Sequence, residues 1–185
     1  GAATSEAYNV AGLGTDSIVI AGALKDSSIY GNAASANTSD GADTIYVSGT
    51  ASAAYVVAGA GADTIDFTDH ITKTTALGGA GTDSLNLKSA VTSEVSGNKG
   101  ADTLTITGGL LGSSVYGAGA SIATDDGADS LYVSGVAESS TVQGNGGSDT
   151  LYMAGRVEES AIKGGAAADL ISVVSAVTDS EIAGN

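Results

Sequence analysis

The chain has 185 residues, of which 28 are glycine, with no proline, cysteine or tryptophan and a formal net charge of −15. The negative charge argues against nucleic acid and anionic membrane surfaces as partners, and the absence of cysteine excludes disulfides and thiolate metal sites. A hydrophobic fraction of 42% argues against intrinsic disorder, and no apolar run is long enough to cross a membrane as a helix.

An aspartate recurs in a glycine-rich turn along the whole chain. Its successive spacings are 27, 20, 20, 19, 27, 20 and 20 residues. The recurring residues are Asp16, Asp43, Asp63, Asp83, Asp102, Asp129, Asp149 and Asp169. A regular period of this size is typical of a solenoid, in which each repeat forms one coil and buries its apolar face against its neighbours.

Each aspartate is followed by a strand pattern. Two positions and four positions after Asp83 stand the apolar residues Leu85 and Leu87, with polar residues before and between them. This alternation predicts a strand with one buried face. A second strand follows later in each repeat, preceded by a Ser or Thr in seven of the eight repeats. We therefore predict an all-β fold, a parallel β-solenoid of about eight coils of about 20 residues with two short strands per coil.

The hydroxyl residue before the second strand forms a further column. We predict that these side chains bond to the nearby backbone from inside the turn. Its members are Ser27, Thr74, Ser93, Ser113, Ser140, Ser160 and Ser180.

A longer period is superimposed on the coils. Residues 16–101 and 102–185 are two super-repeats related by a shift of 86 residues, and each contains one extended interval. We predict protruding loops at 31–41 and 117–127. Asp40, Asp125 and Asp126 either join the aspartate column or lie in exposed acidic loops, and we favour the exposed loops. Because both ends read as the middle of a repeat, residues 1–185 are interpreted as a single solenoid segment cut from a longer array.

A column of stacked aspartates raises an electrostatic problem. Carboxylates about 5 Å apart at an effective dielectric constant near 20 repel each other by roughly 3 kcal/mol per adjacent pair. Two solutions are open. Each aspartate can accept hydrogen bonds from backbone N–H groups of its glycine-rich turn, or a divalent cation such as Ca²⁺ can lie between successive turns.

Residues 78–86, GGAGTDSLN, match every fixed position of the glycine-rich nonapeptide of RTX proteins, the haemolysin-type calcium-binding repeats. Residues 144–152 and 97–105 resemble it with one change each. The resemblance implies a right-handed β-roll that binds Ca²⁺ through the eight aspartates and through turn carbonyls. The implied carbonyl ligands are Gly78, Ala80, Thr82, Gly97, Lys99, Ala101, Gly144, Gly146 and Ser148. These coils differ from RTX coils because the motif lies on one side only.

Three further groups of residues give weaker indications of function. Tyr46, Tyr132 and Tyr152 are predicted to be exposed, as a surface contact for glycans or as a stabilising cross-strand pair. The outward hydroxyl column resembles an ice-binding face only at Thr103 and Thr105. His70 is the single histidine, and no nucleophile–base arrangement accompanies it, so we expect that the protein is not an enzyme.

The function expected from these features is structural. We predict a calcium-stabilised repeat spacer of a large extracellular protein, such as an adhesin, a surface-layer protein or a secreted RTX-like protein. The alternatives are a metal-independent solenoid of a viral fibre or virion surface, and a glycan- or ice-contacting face. The expected partners are neighbouring repeats or end-to-end copies, with possible glycan or cell-surface contact, without nucleic acid and without membrane insertion.

Overall fold

The computed structural model describes residues 8–32, 40–119 and 126–184. These residues form 25 short strands, every pair of which is parallel and joins equivalent positions of successive coils. The strands build three sheets that run the length of the molecule, with nine strands in the first and eight in each of the others. The predicted parallel β-solenoid of about eight coils is therefore confirmed.

The strands are numbered along the chain. The first sheet contains β1 (Tyr8–Val10), β4 (Ser28–Tyr30), β7 (Tyr55–Ala60), β10 (Thr75–Ala80), β13 (Glu94–Lys99), β16 (Ser114–Ala118), β19 (Thr141–Asn145), β22 (Ala161–Gly165) and β25 (Glu181–Ala183). The second contains β2 (Ser17–Ile20), β5 (Thr44–Val47), β8 (Thr64–Phe67), β11 (Ser84–Leu87), β14 (Thr103–Ile106), β17 (Ser130–Val133), β20 (Thr150–Met153) and β23 (Leu170–Val173). The third contains β3 (Leu24–Lys25), β6 (Ala51–Ser52), β9 (Ile71–Thr72), β12 (Ala90–Val91), β15 (Leu110–Leu111), β18 (Ala137–Glu138), β21 (Val157–Glu158) and β24 (Val177–Thr178).

Each coil thus has three strands rather than the two that the alternation indicated. The additional strand has only two residues, such as β12, with a single inward side chain, Ala90. A two-residue strand cannot show an alternating pattern, and it forms because the coils on either side offer it backbone partners.

The core is a set of stacked apolar columns. Leu85 lies beside Ile65 on one neighbouring coil and Leu104 on the other, and all three are almost completely buried. Burial of such a side chain contributes about 1.5–3 kcal/mol, and here each contribution depends on the adjacent coils. The positions two and four after each aspartate therefore hold the coils together, as their pattern predicted.

The hydroxyl column behaves as expected. Ser93 Oγ accepts a hydrogen bond from the Thr74 N–H of the preceding coil at 3.1 Å and donates one to the Val91 carbonyl at 2.8 Å. The residue before it is left-handed in every coil, as at Thr92 with φ of 48°. This conformation turns the chain from the third sheet back into the first.

The predicted loops fall mostly outside the described residues, as does Asp125. Of the described residues, none belongs to a helix long and apolar enough to cross a membrane.

Candidate metal centre

The aspartate column occupies the corner between the first and second sheets. In the central coil β10 ends at Ala80, a turn follows, and β11 begins at Ser84, immediately after Asp83. The carboxylate points into the solenoid, because Asp83 retains only 2% of its accessible surface. Five equivalents are buried to the same degree, namely Asp43, Asp63, Asp102, Asp129 and Asp149.

One oxygen of each carboxylate forms a ladder along this corner. The N–H of Asp63 donates to Asp83 Oδ1 at 2.9 Å, and the N–H of Asp83 donates to Asp102 Oδ1 at 2.8 Å. The same bond joins every successive pair from Asp16 to Asp169. Each carboxylate from Asp43 to Asp169 therefore caps the turn of the preceding coil, whereas Asp16 Oδ2 accepts a hydrogen bond from Gly12 N–H in its own turn at 3.1 Å.

The second oxygen of each carboxylate from Asp43 to Asp169 has no such partner. Within the described residues, the buried Oδ2 atoms accept no hydrogen bond. They belong to Asp43, Asp63, Asp83, Asp102, Asp129, Asp149 and Asp169. A buried polar atom without a partner costs about 1–3 kcal/mol, and more when it carries charge. We therefore expect a proton or a cation beside these seven oxygens.

Glycine makes room for these oxygens. A methyl group on Gly78 would lie 2.5 Å from Asp83 Oδ2 and 2.8 Å from the carbonyl oxygen of Gly97 on the next coil. Gly164 stands in the same relation to Asp169 Oδ2 and to the Gly184 carbonyl. A carboxylate oxygen and a carbonyl oxygen thus border one small space at Gly78, and another such pair borders a space at Gly164. Hard cations such as Ca²⁺ prefer oxygen ligands of these two kinds.

Burial raises the pKa of the six column carboxyl groups between Asp43 and Asp149, and the charges of neighbouring aspartates raise it further. The pKa rises to about 7 for Asp83 and to about 8 for Asp129. It rises to about 6 for Asp43, Asp102 and Asp149. The hydrogen bond that each Oδ1 accepts lowers the pKa but does not offset burial. Without a cation, Asp129 and a fraction of Asp83 therefore retain a proton near neutral pH.

The predicted carbonyl ligands fall into two groups. Gly78, Gly97 and Gly144 are buried, and each lies against the Oδ2 of the aspartate in its own coil. Of the remaining predicted residues, Ala80 and Lys99 end β10 and β13, and the other four lie in the turns that follow the strands. Ala80 and Lys99 accept backbone hydrogen bonds from Gly61 and Gly81, Gly146 is buried, and Thr82, Ala101 and Ser148 are exposed.

The structure contradicts one expectation about the extended intervals. Asp40 and Asp126 are not exposed, because each is partly buried against the turn of the preceding coil. Gly14 N–H donates to Asp40 Oδ1 at 2.9 Å, and Gly100 N–H donates to Asp126 Oδ1 at 2.8 Å. The signal that identifies them is the spacing Asp-Gly-Ala-Asp, which occurs at the end of both extended intervals.

Within the described ranges, no three His, Cys, Asp or Glu side chains come together in a group that could hold a metal ion. A cation at this corner would therefore have one or two carboxylates, with backbone carbonyls completing its shell. Calcium tolerates this mixture, since it accepts six to eight oxygens in flexible geometry.

Two of the three tyrosines predicted to be exposed form a pair, and the third, Tyr46, is only partly exposed. The rings of Tyr132 and Tyr152 stack with centroids 5.5 Å apart and planes 4° apart, while Tyr46 faces Asp66 on the next coil. Because each ring of the pair covers one face of the other, this arrangement stabilises the sheet. His70 lies at the surface against Asp69, to which Lys88 also binds.

Comparison with known proteins gives one structural likeness. No family model and no curated protein matches the sequence. The chain is similar to a solved structure of a hyperactive, Ca²⁺-dependent, β-helical antifreeze protein from an Antarctic bacterium. The two chains are 17% identical, with a TM-score of 0.45 over 100% of this chain and 83% of the other. The RTX resemblance accordingly remains a prediction.

Proposed function

We propose that the aspartate corner binds calcium ions between successive coils and that this binding makes the solenoid a rigid structural spacer. The row of buried Oδ2 atoms carries the proposal. Seven buried carboxylate oxygens without a hydrogen-bond partner are explained if a cation lies beside them, and the backbone carbonyls that border the same spaces would supply further ligands.

The charge of the molecule supports this role. The chain carries 21 acidic residues against six basic ones, so its own side chains cannot neutralise the column. Ion pairs of the described residues lie at the surface, as between Lys163 and Glu181, and none involves the column. A divalent ion would supply the missing positive charge where it is needed.

The setting that fits such a protein is outside the cell. Millimolar calcium stabilises a protein whose native state alone binds it, so an acidic chain of this kind would fold on reaching a calcium-rich medium. We infer a non-catalytic part of an extracellular or cell-surface protein, joined to further repeats of the same type. Its function would then depend on length and stiffness.

The test is a thermal melt followed by far-ultraviolet circular dichroism, in calcium and in EDTA. We expect calcium to raise the melting temperature by more than about 10 °C, since several ions bind only the folded chain. Magnesium at the same concentration should have a much smaller effect, because it keeps its waters and demands octahedral geometry.

A melting temperature that is the same in calcium and EDTA would overturn the proposal. The metal-independent solenoid would then be the better account. An outward carboxylate supplies the matched control, since Asp66→Asn removes a charge from the second sheet without touching the column. The calcium effect in this variant should equal that of the unaltered chain.

A further inference from the structure

The two super-repeats each contain one turn that differs from the others. At the position three residues before the column aspartate, the two turns that follow the extended intervals have Asp40 and Asp126. The other turns have a residue without a carboxylate there, namely Leu13, Ala60, Ala80, Lys99, Gly146 and Ala166. The sequences Asp40–Asp43 and Asp126–Asp129, called the acidic doublets below, lie 86 residues apart.

The extra aspartate takes over a backbone hydrogen bond. In ordinary coils the amide of the turn glycine donates to a carbonyl of the next coil, as Gly61 does to Ala80 at 2.8 Å. At the doublets the amides of Gly14 and Gly100 donate instead to the side chains of Asp40 and Asp126. This hydrogen bond uses only Oδ1 of Asp40 or of Asp126.

The other oxygen is left over, as in the main column. Oδ2 of Asp126 is buried and accepts no hydrogen bond within the described residues, and neither does Oδ2 of Asp129, a residue that is 2% exposed. Asp40 and Asp43 repeat both features. Each doublet therefore places two unpartnered carboxylate oxygens at one turn, where an ordinary coil has one.

The two carboxylates of a doublet accept hydrogen bonds from the same turn of the preceding coil. Asp126 Oδ1 is bonded to the amide of Gly100 and Asp129 Oδ1 to the amide of Asp102, two residues further along the same turn. The added carboxylate is thus held at the aspartate corner beside the column.

We propose that the acidic doublets are two calcium sites of higher affinity than the rest of the column, one in each super-repeat. Affinity for calcium rises with the number of charged ligands, and each doublet supplies two where an ordinary turn supplies one. The sites are four coils apart on the same corner, or about 19 Å at about 4.8 Å per coil. This inference rests on the proposed function of the column.

The test is calorimetric titration of calcium into the full chain after EDTA treatment and dialysis. We expect two classes of site in the unaltered protein, with two ions in the tighter class. The double variant Asp40→Asn with Asp126→Asn should lose that class, with affinity at those turns falling about tenfold or more. Asparagine keeps the oxygen that accepts the Gly14 and Gly100 amides, so the turn retains its hydrogen bond. Each single variant should lose one tight ion.

The matched control is Asp26→Asn with Asp179→Asn. It removes the same two charges from exposed left-handed positions in the turn that leads back into the first sheet. Tight binding should be unchanged in this control. If it falls as in the doublet variant, or if the doublet variant keeps the tight class, the doublet proposal is wrong while calcium binding stands. If the unaltered chain binds no calcium at all, both proposals fail.

Discussion

Two corners of this solenoid place a polar column inside the protein, and they are satisfied in different ways. At the hydroxyl corner, Ser93 both accepts and donates a hydrogen bond, so its oxygen is fully used within two coils. At the aspartate corner, Asp83 uses one oxygen in the same kind of inter-coil bond and leaves the other without a partner. The hydroxyl of Ser93 therefore has all its hydrogen-bond partners within the protein, whereas the carboxylate of Asp83 needs a proton or a cation from solution.

The largest expected difference between the corners concerns removal of one side chain. Asp83→Ala should lower the free energy of unfolding in calcium by at least about 3 kcal/mol, because it orphans the Asp63 amide and removes a cation ligand. Ser93→Ala should lower it by only about 1–2 kcal/mol, through one unpaired amide. Urea unfolding in calcium and in EDTA measures both. The comparison fails if the Ser93 variant depends on calcium as strongly as the Asp83 variant.

The second prediction concerns pH in the metal-free protein. The six column carboxyls from Asp43 to Asp149 have raised pKa values in the folded chain, up to about 8 at Asp129, against 3.8 in the unfolded chain. The stability that they contribute is complete below the lower value and is lost as the pH rises through the higher one.

In EDTA, we therefore expect the melting temperature to fall by at least about 5 °C between about pH 5 and pH 9. Saturating calcium should remove or reverse this trend, because calcium binds the deprotonated carboxylates. A metal-free chain that gains stability over this pH range would show that the column holds no protons.

A smaller effect is expected from the glycine that makes room for the column. Gly78→Ala places a methyl group against Asp83 Oδ2 and the Gly97 carbonyl and should destabilise the protein by about 2 kcal/mol. It should also weaken calcium binding in the same titration. Gly12→Ala is the control, since a methyl group there meets no atom within 4 Å. If the two variants have the same stability and the same calcium affinity, the absence of a side chain at Gly78 is not what makes room for Asp83 Oδ2.

The smallest effect is expected at the hydroxyl corner. Thr92 is β-branched and left-handed, with φ of 48°, and the equivalent residue on the next coil is Gly112. Thr92→Gly should stabilise the chain by about 0.5 kcal/mol, because relief of backbone strain exceeds the added entropy of the unfolded chain. Thr103→Gly in a strand should destabilise it by about 0.5–1 kcal/mol. Thermal melts of the two variants in calcium test the contrast.

Sequence patterns alone determine most of the fold. The spacing of the aspartates predicts the coils, and the alternation at Leu85 and Leu87 predicts the buried face of β11, because both signals repeat eight times along the chain. The hydroxyl column is equally visible, since a polar residue at a fixed inward position needs a local partner. What escapes this reasoning is β12 and its equivalents, which are too short to have a period.

The tertiary structure decides what surrounds the site residues. The sequence places Asp83 in a glycine-rich turn, but only stacking shows that its Oδ1 is bonded to the preceding coil and its Oδ2 is buried without a partner. Asp40 and Asp126 were predicted to be exposed because they follow long intervals rich in small and polar residues. They are partly buried because the amides of Gly14 and Gly100, 26 residues away in each case, lack the usual carbonyl partner and bond these side chains instead. Local pattern determines the coil, and contacts between coils determine the charge environment.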